Sequence, residues 1–114
     1  MPFDNTQGRL IKEIVGWYCE QKVPDNLKDQ VRVFYSIKGY TVTIVQSKPS
    51  FPGSRLWTEY PIARVKYDPR TLEWELYRRD LTGEWQRYAD LKPTPHLQSL
   101  IDEIADDPVC VFWG

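Results

Sequence analysis

The hydrophobic pattern of this chain changes period twice between its ends. Leu10, Ile11, Ile14, Val15, Trp17 and Tyr18 recur at helical spacing, which predicts a helix over 5–22 with these residues on one apolar face. Asp4, followed three residues later by Gln7, offers a capping box at its start, while Lys22 and Pro24 suit its end. From residue 31 the period falls to two. Val31, Val33, Tyr35 and Ile37 alternate with Arg32, Phe34, Ser36 and Lys38. Beyond a turn at Lys38-Gly39 the alternation resumes through Tyr40, Val42 and Ile44. Two such runs about a glycine turn predict a β-hairpin.

Ser47 to Arg55 holds two prolines and a glycine and is read as a loop. A third strand is expected from Trp57 to Tyr67. Asp68-Pro-Arg-Thr71 places proline at the favoured second turn position, and a fourth strand follows from Leu72 to Arg79. Asp80-Leu-Thr-Gly83 fits a type I turn with a left-handed glycine bulge, leading into a fifth strand from Glu84 to Tyr88. Helical spacing then returns. Thr94 is placed to cap and Pro95 to occupy the first helical position, with Leu97, Leu100, Ile101, Ile104 and Ala105 as the apolar stripe and Pro108 as the stop. The expected architecture is α+β: an N-terminal helix, a five-stranded antiparallel meander, a C-terminal helix and a short apolar tail. Helices on one sheet face leave the other for solvent or an interface. The tail, Val109 to Gly114, is apolar enough that Phe112 and Trp113 are expected to dock on the domain or on a second subunit.

Composition narrows the class. At 114 residues, 41% hydrophobic and 27% charged, the chain is expected to form one globular domain and not a disordered segment. The net charge of −1 argues against a protein that lives on non-specific phosphate contacts. Charge is unevenly spread, however. Residues 1–88 carry 14 Lys/Arg against 11 Asp/Glu, and residues 89–114 carry one lysine against five acids. Two cysteines, Cys19 and Cys110, are too few for a disulfide scaffold and read as free, buried thiols. The N-terminus lacks a signal-peptide pattern, and no apolar run reaches membrane-spanning length, so a cytoplasmic protein with no membrane partner is expected.

The strongest candidate for function is the stretch from Trp74 to Tyr88, in which two Trp-x-x-Tyr units flank the Asp80–Gly83 turn. If Asp80 pairs with Glu84, then Glu75, Tyr77 and Arg79 share a face with Trp85 and Arg87. Arg79 falls opposite Trp85 and Arg87 opposite Tyr77, a cation–π ladder. Tyr77, Arg78, Arg79, Trp85 and Arg87 are the candidate binding residues, because Trp, Tyr and Arg anchor interfaces more than other side chains do. The same ladder could instead serve only to stabilise an exposed sheet. The Ser47–Glu59 segment, with Phe51, Arg55 and Trp57, is a second candidate surface.

Catalytic and metal signatures are missing: there is no nucleophile elbow, phosphate loop or paired Cys/His ligand set, and no cofactor is expected. His96 reads as a surface residue, and Glu73 and Glu75 as a solvent-facing pair. Asp102, Asp106 and Asp107 sit at the unfavourable negative end of the last helix, which calls for a compensating lysine or arginine.

Asp29-Gln-Val-Arg-Val-Phe-Tyr35-Ser-Ile-Lys-Gly39, Glu59-Tyr-Pro61-Ile-Ala63, the Trp74–Tyr88 hairpin and the closing Asp107-Pro108 and Phe112-Trp113-Gly114 resemble domain-of-unknown-function family 3024. That resemblance implies a small bacterial, cytoplasmic, single-domain protein, and it brings no catalytic residues. The function expected is a non-enzymatic interaction domain that binds an unknown macromolecule, or itself, through the aromatic and basic face and the terminal Phe-Trp-Gly. Single-stranded nucleic acid on the same face is one alternative. A small anion held by Arg78, Arg79 or Arg87, as ligand or as enzyme substrate, is the other.

Overall fold

In the computed structural model, which describes residues 2–114, the capping box forms: the Gln7 amide donates to Asp4 Oδ1 at 2.7 Å and the Asp4 amide to Gln7 Oε1 at 3.1 Å. Helix α1 (Asn5–Ile11) passes through a π-helical turn (Lys12–Gly16) into α2 (Trp17–Lys22). A π turn carries more residues per revolution than an α turn. The buried positions fall four apart, at Ile11, Val15 and Cys19. Trp17, at 65% exposure, and Leu10, at 41%, lie outside this buried face, contrary to the expected apolar face.

Strands β1 (Arg32–Lys38), β2 (Thr41–Pro49), β3 (Trp57–Asp68), β4 (Glu73–Arg79) and β5 (Trp85–Arg87) form one antiparallel sheet in sequence order. Gly39, at φ +59°, and Tyr40 make the first turn, so Tyr40 is a turn residue and not a strand residue. The Ser47–Glu59 segment is sheet at both ends, and its loop begins three residues later than predicted. Ser47 pairs with Glu59, Lys48 with Thr58 and Pro49 with Trp57, which leaves 50–56 as the connection. Pro49, read as part of the loop, has a tolerated place at the end of its strand, while Pro52 lies in the connection as expected; Pro61, within the predicted third strand, sits opposite Val45 at a bulge.

Helix α3 (Leu97–Asp106) begins later than Thr94 and Pro95 suggested. Thr94 is held as a β-bridge to Trp74, with N···O distances of 2.7 and 3.1 Å, and His96 becomes the N-cap without a side-chain cap bond. Ile11, Val15 and Cys19 meet Leu97, Leu100, Ile101 and Ile104 over Val42, Ile44, Ala63, Val65, Trp74 and Leu76 in one buried cluster. All three helices thus cover one sheet face. Phe3, Tyr67 and Trp74 close one end of this core, with ring centroids 4.9–6.0 Å apart.

The tail docks on its own domain. Phe112 is buried against Tyr88, with centroids 5.2 Å apart, and the Trp113 indole N–H donates to the Tyr18 hydroxyl at 2.8 Å beneath the Lys22 ammonium. Asp107, in the left-handed conformation at φ +44°, anchors this turn. Its Oδ1 accepts from the amides of Val111 and Phe112, and its Oδ2 from those of Trp113 and Gly114, at 2.8–3.2 Å. The compensation expected from a lysine or arginine is supplied by backbone N–H groups instead. Asp102 accepts a hydrogen bond from Gln98. Among the described residues, no helix is long and apolar enough to cross a membrane.

Candidate binding face

The β4–β5 hairpin is set by one carboxylate. Asp80 Oδ1 accepts from the Thr82 hydroxyl at 2.6 Å and from the amides of Thr82 and Glu84, while Oδ2 accepts from the Gln86 side chain. The Thr82 hydroxyl, followed by these other donors, outweighs burial and draws the Asp80 carboxyl down to about 2. Gly83, at φ +85°, supplies the left-handed residue, and the Arg79 guanidinium folds over it to donate to its carbonyl at 3.3 Å.

This turn fixes the register expected from the sequence: Tyr77 opposite Arg87, Arg78 opposite Gln86 and Arg79 opposite Trp85. Glu75, Tyr77, Arg79, Trp85 and Arg87 consequently share the helix-free face. Arg78 does not join them. It alternates onto the helix-covered side, between Ala63 and Gln86.

The cations that lie nearest the rings come from β3. Arg64 pairs in register with Tyr77 and Lys66 with Glu75, so both point to the same face as the hairpin ladder. The Arg64 guanidinium lies 4.3 Å from the Trp85 ring centre while donating to Thr43 Oγ1 at 3.2 Å. Arg79 stands farther from the same ring, at 5.9 Å. Lys66, not Arg87, covers Tyr77, at 4.4 Å. Burial and then the hydrogen bond to Glu75 raise the Tyr77 phenol above its ordinary value. Arg87 is exposed and makes no hydrogen bond, ion pair or ring contact among the described residues.

Sequence reasoning missed Arg64 and Lys66, although their period-two spacing in the third strand was visible. Which strand face they occupied relative to the hairpin could be told only from the β3–β4 register. Four cations, Arg64, Lys66, Arg79 and Arg87, thus surround two rings with one carboxylate, Glu75, among them. Asp68 and Glu73 pair at the far end of β3–β4. Near the opposite sheet edge, Arg32 covers Trp57 at 4.2 Å.

Clefts lie beside this face and behind it. One of about 350 Å³ separates the tail from the β4–β5 turn and touches Arg79, Leu81 and Phe112. Another, of about 260 Å³, reaches the buried Cys19, whose thiol burial pushes up to about 12. A third, of about 640 Å³, runs between the N-terminal helix and Tyr35. Cys110 is exposed, contrary to the expectation that both thiols are buried. The candidate interface residues Phe112 and Trp113 are engaged within the domain, as described above.

The chain belongs to the domain of unknown function family DUF3024, whose family model matches residues 3–114. No curated protein and no solved structure matches it.

Proposed function

We propose that this protein is a non-enzymatic interaction domain that binds a macromolecular partner through the helix-free sheet face centred on Tyr77 and Trp85. The observation that carries the reading is the ring of four cations around two half-buried aromatic side chains, on a face that no helix of the domain covers. Such a surface suits a partner that presents acidic groups, because each guanidinium held by a ring, a hydroxyl or a turn carbonyl loses little freedom on binding. Of the candidate binding residues only Arg79 borders one of the three clefts, and Tyr77, Trp85 and Arg87 line none, so a small-molecule enzyme site has less support than a surface contact. Self-association through the tail also loses its motive, since Phe112 and Trp113 are satisfied internally. The free thiols are consistent with a reducing, cytoplasmic setting.

Single-stranded nucleic acid is the second reading, favoured by the alternation of cations and rings along the face. Arg64 and Lys66 occupy the ring faces, so bases would stack on guanidinium planes or displace them. The test is capture from bacterial lysate by the native protein and by an Arg79→Glu/Arg87→Glu double variant, with and without nuclease. A partner held by the native protein alone supports the proposal, and nuclease sensitivity moves it to the second reading. Equal capture by both proteins would sink it.

A further inference from the structure

The exposure of Trp17 is the least expected feature of the helical layer. Its indole is 65% exposed on the same side of the N-terminal helix as Arg9, Lys12, Glu13, Gly16 and Glu20, above a cleft of about 640 Å³ whose far wall is Tyr35. Positions 9, 12, 13, 16, 17 and 20 follow ordinary helical spacing down one side of the helix, beside the β1 edge, while Ile11, Val15 and Cys19 keep to the core. Gly16 contributes no side chain at the middle of the stripe, and a Cβ there would sit 3.4 Å from the Tyr35 ring.

The order of charges along the stripe matters most. Its two cations, Arg9 and Lys12, lie in the N-terminal half together with Glu13, and Trp17 and Glu20 occupy its C-terminal half. Laid antiparallel on a copy of itself about an axis between residues 14 and 15, the stripe pairs Arg9 with Glu20, Lys12 with Trp17 and Glu13 with Gly16, each pair occurring twice. Opposite charges meet, and a cation meets an aromatic face. Self-complementarity of this kind is what a two-fold interface requires. Glu20 already accepts from Lys28 within its own domain, and its side chain is 66% exposed, which leaves room for a second cation.

We propose that the stripe formed by Arg9, Lys12, Gly16, Trp17 and Glu20 is the interface of a two-fold homodimer with antiparallel N-terminal helices. This surface lies on the helical side of the molecule, so the dimer leaves both cationic sheet faces free and its test is separate from theirs. The β1 edge strand flanks the contact, and the second helix would shield that open edge.

Analytical ultracentrifugation of the full chain across a concentration series tests the proposal. The expected result is reversible association to twice the 13.5 kDa monomer mass. Trp17→Glu should weaken it on the order of 30-fold, the scale of a tryptophan hot spot, with an unchanged circular dichroism spectrum. Arg9→Glu alone should also weaken the dimer, and Arg9→Glu/Glu20→Arg should restore it, because the swapped charges again face each other across the axis. Arg79→Glu/Arg87→Glu should leave the dimer intact. A monomer at every concentration would overturn the proposal, including the case in which the stripe serves a different protein. So would a dimer indifferent to Trp17→Glu, or a charge swap that fails to restore association while the fold is retained.

Discussion

Asp107 stands where a carboxylate should be unwelcome, at the negative end of α3, and it is kept there by four backbone amides. Burial raises its carboxyl, but the hydrogen bonds from Phe112, Trp113, Val111 and Gly114 together outweigh that and hold it below the usual carboxylate range. The folded value therefore lies under the unfolded one. The stability it contributes is complete above the unfolded carboxylate range, from about pH 5, and is lost as pH falls through the folded value. Asp107→Ala removes acceptors from four donors that also position Phe112 and Trp113, and should cost about 2 kcal/mol in urea unfolding at pH 7. Asp107→Asn, which keeps one acceptor oxygen, should cost less, and the gap between native and alanine proteins should shrink toward pH 3. A gap that stays constant with pH would mean that packing, not the charge, fixes the tail. The cysteines offer a second check at this scale. Burial pushes the Cys19 thiol up to about 12, whereas Cys110 lies exposed in the tail turn. A thiol reagent at neutral pH should modify one cysteine per chain promptly and the second only on unfolding. Two equal rates would contradict the burial of Cys19.

Elements whose local chemistry decides their geometry were legible in the sequence. The Asp4–Gln7 capping box, the Gly39 turn and the Asp80–Gly83 bulge turn each follow from residues adjacent in the chain. Through the last of these, the register of the Tyr77–Trp85 ladder followed as well. What escaped depends on contacts distant in sequence. The π turn was invisible because Ile11, Ile14, Val15 and Tyr18 satisfy ordinary helical spacing, and only the sheet beneath selects Val15 and Cys19 over Trp17. Thr94 is drawn from its capping role by Trp74, and Lys66 reaches Tyr77 only through the pairing of β3 with β4. Two glycines separate local from distant causes by experiment. Gly8 lies within α1 with nothing within 4 Å of where a Cβ would sit, so Gly8→Ala should stabilise by roughly 0.5–1 kcal/mol through helix propensity. Gly83→Ala should destabilise by at least about 1 kcal/mol, because φ is +85° and the added Cβ would lie 2.8 Å from Arg79 Nη2. Thermal melts of the two variants should therefore move in opposite directions. A neutral Gly83→Ala would show that the hairpin turn is not the anchor of the register.

At the scale of the whole molecule, a near-neutral chain hides a division of charge between surfaces. α3 and its flanks hold the acidic excess of residues 89–114, while Arg64, Lys66, Arg79 and Arg87 gather on the far side of the sheet. A net charge of −1 thus says little about what the sheet face attracts, since exposed charges act over about one Debye length, ~8 Å at physiological salt. The cations on that face also differ in what they do for the fold. Arg64 bridges Thr43 and Trp85, so removing it should cost stability of about 0.5–1 kcal/mol for the lost ring contact. Arg87 makes no such contact among the described residues, and the fold gives no reason for a guanidinium there. Arg87→Glu should accordingly melt with the native protein, while Arg64→Ala should melt below it. If the face is a binding surface, Arg87→Glu should nevertheless lose the captured partner, and native binding should weaken as salt is raised. If the ladder exists only to hold the sheet together, Arg87→Glu should capture whatever the native protein captures, and loss of binding should follow loss of stability from one variant to the next. The pair of variants therefore separates a structural ladder from a functional one even while the partner is unidentified, because one substitution disturbs the fold and the other changes only what the face presents.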